Sequence, residues 1–139
     1  MTLLVVDASI VVKWFLPEIH SAAALRVAES DHTFTAPDLL GAEIANTFWK
    51  KVRRGELTHD EGRRLLDDFR RLDIAVVPHD ALLPAAFDLA ATAGHPVYDC
   101  LYLALADRSG CQLVTADRRF YQAFAQRECG RRMAWVEDL

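Results

Sequence analysis

Four short apolar runs, each followed by a stretch with helical spacing, constrain this chain more than any other feature. Residues 2–7 (TLLVVD), 33–36 (TFTA), 74–78 (IAVVP) and 111–116 (CQLVTA) are apolar, rich in β-branched residues and bounded by turn or breaker residues. Such runs read as buried strands. The spacing between them predicts helices over 8–16, 18–30, 37–54, 58–72, 80–94, 97–110 and 117–126, and residues 133–137 (MAWVE) suit a closing edge strand. Strands that alternate with helices predict an α/β fold. We therefore expect a single domain over 1–139, with a central, mostly parallel sheet flanked by helices on both faces.

Local signals set the boundaries. Pro17 stops the first helix, and in the second Ile19, Ala22, Ala23 and Val27 share one face. Pro37 suits the first turn of the third helix and Gly55 its end. Thr58 and Glu61 match a capping box, while Pro84 blurs the start of the 80–94 helix. The segment VYDCLYLALADRSG is apolar nearly all round, which predicts a central helix.

Composition narrows the class. With 139 residues, 52% hydrophobic and 26% charged, the chain is long enough for one core and is not disordered. No apolar run approaches the roughly 18 residues of a membrane helix. The N-terminal segment lacks a basic leader and is interrupted by Asp7 and Lys13, so a cytoplasmic location is expected. Cys100, Cys111 and Cys129 form no CxxC pair and read as reduced thiols, the first two as small core residues. A net charge of −4 argues against loose, non-specific nucleic-acid binding.

Acids stand where strands and helices meet. Asp7 ends the first strand, Asp117 follows the CQLVTA strand, and Asp99 opens the central helix. In an open α/β sheet these three places share the rim at the carboxyl ends of the strands. Each aspartate could instead be a helix N-cap, worth about 1 kcal/mol, and a carboxylate can cap and ligate together. Glu43 lies inside the expected 37–54 helix, where capping is not available, about 60° from Leu40 on the flank of an apolar stripe, with Asn46 beside it. A glutamate there is costly unless paired, solvated or metal-bound. Crowded acids repel one another, and a hard divalent cation reverses that cost.

The pieces VVDASIVVKWF, APDLLGAEIANTFWK, VYDCLYLALA and LVTADRRF, in this order, resemble the PIN-domain ribonucleases, especially the VapC-type toxins of bacterial toxin–antitoxin pairs. The resemblance covers nearly the whole chain. It implies Mg²⁺ or Mn²⁺ held by Asp7, Glu43, Asp99 and Asp117, with Ser9 and Thr115 as supporting hydroxyls and Asn46 as a polar neighbour of the glutamate. It further implies metal-dependent cleavage of structured RNA, often tRNA or rRNA, a homodimer, and inhibition by a cognate antitoxin.

Other residues keep two readings. Ser9 and Thr115 could simply bridge backbone groups at strand ends. His95 is either an exposed loop histidine or a phosphate donor. Lys50, Lys51, Arg53, Arg54, Arg63, Arg64, Arg70 and Arg71 are solvated helix faces or an RNA-backbone track, and Arg118 and Arg119 adjoin Asp117. Trp14, Phe15, Phe48 and Trp49 either fill the core or line a dimer or antitoxin groove. A haloacid-dehalogenase-type phosphatase would need a second carboxylate where Ser9 stands, and a receiver domain would need a late lysine that the chain lacks. The remaining rival is a PIN-like module that binds RNA or protein without cutting.

Overall fold

The computed structural model describes residues 2–139. Its sheet contains β1 (Thr2–Val6), β2 (His32–Pro37), β3 (Ile74–Val77), β4 (Gln112–Thr115) and β5 (Met133–Trp135). The helices are α1 (Ala8–Phe15), α2 (Ser21–Glu29), α3 (Leu40–Arg53), α4 (His59–Arg70), α5 (Leu83–Ala93), α6 (Val97–Ser109) and α7 (Arg118–Phe124). The strand order is β3-β2-β1-β4-β5, and every pairing is parallel. Connections step one way from β1 to β3 and the other way from β4 to β5. Right-handed crossovers then put α1–α4 on one face and α5–α7 on the other.

The central strand carries the apolar run that a sheet covered on both faces requires: Leu4, Val5 and Val6 are buried. Beside it α6 is buried without a break from Cys100 to Ala106, as its all-round apolar sequence demands. Gly110 stops α6 in the left-handed region at φ 65°, where a side chain would be strained, and Gly94 ends α5 the same way. Cys100, Cys111 and Cys129 are free thiols, and burial pushes the Cys100 thiol up to about 12. Among the described residues no helix is long and apolar enough to cross a membrane.

Three boundaries differ from the sequence reading. The second helix starts at Ser21, because His20 takes a left-handed φ of 67° and the Ser21 hydroxyl accepts from the Glu18 N–H. Ile19 is consequently 77% exposed, Ala22 is exposed, and Ala23, Ala24 and Val27 form the buried face. Pro37 stays in β2, in register with Val77, and the Asp38 N–H donates to the Val77 carbonyl, so α3 begins at Leu40. Residues Asp80–Leu82 form a 3-10 turn before α5, with Pro84 in the first turn of that helix.

Candidate functional site

The strand order reverses between β1 and β4, and this is where an open parallel sheet leaves a crevice at its carboxyl rim. Asp7 follows β1 there and Asp117 follows β4. Asp7 is buried, 4% exposed, with both oxygens engaged. Its Oδ1 accepts from the Ser9 hydroxyl at 2.5 Å and from the Ile10 N–H at 3.2 Å, and its Oδ2 accepts from the Thr115 hydroxyl at 2.5 Å. Ser9 and Thr115 are themselves tied across the crevice. The Ala116 N–H donates to Ser9 Oγ at 2.9 Å, and the Asp117 N–H donates to Thr115 Oγ1 at 3.0 Å. These two hydroxyls therefore do bridge backbone groups, and they also hold the carboxylate.

Burial pushes the Asp7 carboxyl up to about 7; the negative charge of Asp99 adds to the rise, and the Ser9 and Thr115 hydrogen bonds oppose it. Asp99 lies in the first turn of α6 but does not cap it. Pro96 occupies the N-cap position, and Asp99 Oδ2 instead meets His95 Nε2 at 2.7 Å. Desolvation raises the Asp99 carboxyl, His95 lowers it, and Asp117 raises it. His95 is not an exposed loop residue. Its ring stacks on Phe120 at 5.2 Å between centroids and meets Phe124 edge-on, so it fixes Asp99 in orientation.

Glu43 sits in the first turn of α3, because that helix starts later than the sequence suggests. A favourable helix-dipole position is thus available to it, which the expected mid-helix placement had excluded. Its setting is still costly. Desolvation raises its carboxyl, the Tyr102 hydroxyl donates to Oε1 at 2.5 Å and opposes the rise, and Asp99 adds to it. Asp117 caps α7 through the Phe120 N–H at 3.2 Å.

The charge of Asp99 thus acts on Asp7 and Glu43, and that of Asp117 acts on Asp99. Among the described residues none of the four acids pairs with a lysine or arginine. Glu43 Oε2, Asp99 Oδ1 and Asp117 Oδ2 accept no protein hydrogen bond there either. The donor set fits a hard divalent cation: it is all oxygen, carboxylate-rich and charge-uncompensated. Among the described residues, however, no three His, Cys, Asp or Glu side chains stand together closely enough to hold a metal ion. Each acid is instead secured by its own protein donor.

The other singled-out residues separate cleanly. Asn46 is exposed and makes no side-chain hydrogen bond among the described residues; the hydroxyl that bonds near Glu43 belongs to Thr47, which donates to the Glu43 carbonyl. Phe48 is core and meets Phe15 edge-on at 6.0 Å, and the Trp14 indole N–H donates to the Ala24 carbonyl. Trp49 alone of the four aromatics is largely exposed, at 53%. Several basic residues of α3, of α4 and of the cap that ends α4 are satisfied by nearby acids, as solvated faces are: Lys51 by Glu18 and Glu56, Arg63 by Asp67 and Arg71 by Asp68. Tyr102 was missed by the sequence reading. Its only signal is its position three residues after Asp99, which places both on one helix face.

Residues 4–124 match the sequence model of the family described as PIN domain. The chain is 37% identical over 123 residues to Ribonuclease VapC3 of Pyrobaculum aerophilum, covering 87% of this chain and 94% of that one. Among solved structures it resembles PAE2754 from Pyrobaculum aerophilum, with a TM-score of 0.72 at 24% identity over 98% of this chain and 90% of the other. It also resembles a chain of a toxin-antitoxin complex from Klebsiella pneumoniae, with a TM-score of 0.58 at 13% identity over 97% and 98% of the two chains.

Proposed function

The chain belongs to the PIN domain family, and from that premise we propose that it is an endoribonuclease of the VapC type. On this reading residues 1–139 act as one nuclease domain that cuts phosphodiester bonds of structured RNA, of the tRNA or rRNA class, in the cytoplasm. The observation that supports the proposal is that Asp7, Glu43, Asp99 and Asp117, set at the ends of strands and in the first turns of helices, are each held by a protein donor while, among the described residues, none pairs with a lysine or arginine.

Asp7, Glu43, Asp99 and Asp117 would hold Mg²⁺ or Mn²⁺. Bound among these oxygens, such a cation supplies Lewis-acid polarisation of a phosphodiester. The chain's own residues do the positioning. Ser9 and Thr115 fix the plane of the Asp7 carboxylate, Tyr102 fixes Glu43, and His95, held flat on Phe120, fixes Asp99. Donors of this kind around a metal site typically matter by 10–100-fold.

Two partners complete the proposal. A second copy of the chain would cover the apolar surface at α5 and the start of α6, where Phe87 is 66% and Tyr98 69% exposed beside a groove of about 580 Å³. A cognate antitoxin would lay an apolar segment against α3 and α4, where Trp49, Val52 and Leu66 line a shallow cleft. Because Phe48, Phe15 and Trp14 are largely occupied inside the fold, Trp49 is the aromatic left to anchor it.

A second reading, a module that binds RNA or protein without cutting, draws support from the absence of a close three-ligand group among the described residues. One experiment separates the two. Purified chain incubated with total RNA and Mn²⁺ is expected to cleave it, to stop on chelation, and to lose at least roughly a hundredfold in rate on Asp99→Asn with the fold retained. Cleavage that persists in chelator would remove the metal-dependent reading; RNA binding without cleavage would establish the second.

A further inference from the structure

We propose that Arg118 is a phosphate-binding residue for the RNA, held in place by the indole of Trp135; this rests on the ribonuclease reading above. Arg118 is the first residue of α7 and directly follows Asp117. Trp135 is the last residue of β5, and because every strand is parallel it lies on the same rim as the acids. The Arg118 guanidinium carbon stands 4.5 Å from the centroid of the Trp135 ring. The ring is almost fully buried, with His20 edge-on to it at 5.3 Å and Tyr121 inclined at 5.6 Å. It is therefore a fixed platform rather than a mobile surface side chain.

Arg118 combines an uncommitted charge, a buried ring beneath it and a place beside the acids; Arg53, also over a ring, stands 5.6 Å from the centroid of the largely exposed Trp49 in the last turn of α3. Arg26, Arg63, Arg71, Arg131 and Arg132 each stand within ion-pair distance of an acid. Arg118 is exposed and, among the described residues, makes no ion pair or hydrogen bond. Contact with the ring face orients a guanidinium and leaves its N–H donors available. A fork of donors presented in this way matches two oxygens of one phosphate. Arg119 is also exposed and unpaired, but no ring holds it.

Electrostatics gives the contact a purpose. Four acids repel a polyanion, and a chain with net charge −4 offers it little general attraction. A pre-oriented cation next to Asp117 supplies local attraction where the backbone must approach. Its ordering cost has been met in the fold rather than at binding.

The test is the salt dependence of binding to a fluorescently labelled RNA stem–loop, followed by anisotropy in the presence of chelator. Each neutralised phosphate contributes about 0.7–0.9 to the slope of log affinity against log salt. Arg118→Met keeps an apolar side chain against the indole and removes the charge. It is expected to weaken binding roughly tenfold and to flatten the slope by about one contact, with an unchanged melting temperature. Arg118→Lys is expected to bind with intermediate affinity and the wild-type slope. Should Arg118→Met melt lower, Arg118→Gln carries the same expectation. Wild-type affinity and slope in the neutral variants would overturn the proposal and leave Arg118 as a packing residue. If wild-type protein fails to bind RNA in chelator and also with Mn²⁺ restored, the ribonuclease reading falls first and this inference with it.

Discussion

Asp7 and the Thr58–Glu61 pair do the same local work in opposite surroundings. Asp7 caps α1 by accepting from the Ile10 N–H. Thr58 caps α4 by accepting from the Glu61 N–H, while Glu61 returns a carboxylate to the Thr58 N–H at 2.8 Å. The second cap lies in solvent, and hydrogen bonding to the Thr58 backbone, chiefly, lowers the Glu61 carboxyl. The first lies in the interior, and burial raises the Asp7 carboxyl to about 7. A cap in water keeps its charge at no cost, whereas a cap beside other buried acids does not. Since Ser, Thr or Asn caps a helix as well as Asp, capping accounts for Thr58 fully and for Asp7 only in part.

Acidity separates the two caps most strongly. Because the folded carboxyl titrates near 7 rather than 3.8, the folded chain binds more protons than the unfolded chain between those values. The contribution of Asp7 to stability is therefore greatest at acid pH and declines as pH rises through about 4 to 7. The full effect is about 4 kcal/mol as an upper bound, at about 1.4 kcal/mol per pH unit. Metal-free wild type is expected to unfold more readily at pH 8 than at pH 5.5, and Asp7→Asn to remove most of that slope. A chemical-denaturation series in both proteins measures it, and parallel profiles would refute the assignment.

Tyr102→Phe probes the other end of the acid set. It removes the hydroxyl that secures Glu43 while keeping the ring in the core. The expected loss is roughly tenfold in RNA cleavage, with the melting temperature close to wild type. Activity equal to wild type would make the Tyr102 contact incidental.

The smallest effect belongs to the solvent cap. Thr58→Ala should lower stability by about 1 kcal/mol, equally at pH 5.5 and 8, and leave cleavage untouched. A pH-dependent loss there would show that the two caps are less different than their surroundings indicate.

Much of this contrast was legible in the sequence, and the rest was hidden for identifiable reasons. β1, β4 and α6 announce themselves because a run buried on all sides must be apolar throughout, and the three aspartates stand at their ends. The capping box of α4 is a local pattern four residues long. The start of α3 was misplaced because Pro37 fits a helix N-terminus equally well; its pairing with β3 across a long sequence gap keeps it in the sheet. Ile19 was assigned to a buried face because nothing local shows that His20 turns left-handed. Tyr102 and Glu43 lie 59 positions apart, so their bond follows only from tertiary packing. His95 is four residues before Asp99, and that spacing could have been read, but the stacking on Phe120 that holds the ring could not.

On the proposed reading Asp7, Glu43, Asp99 and Asp117 act as one cation site rather than as four separate structural carboxylates. Thermal unfolding during a Mn²⁺ titration tests it without reference to any substrate. Wild type should gain about 2.7 kcal/mol when Mn²⁺ stands at a hundredfold excess over its Kd, and Asp99→Asn should lose most of that gain. No stabilisation of wild type, or the same stabilisation in Asp99→Asn, would contradict the claim.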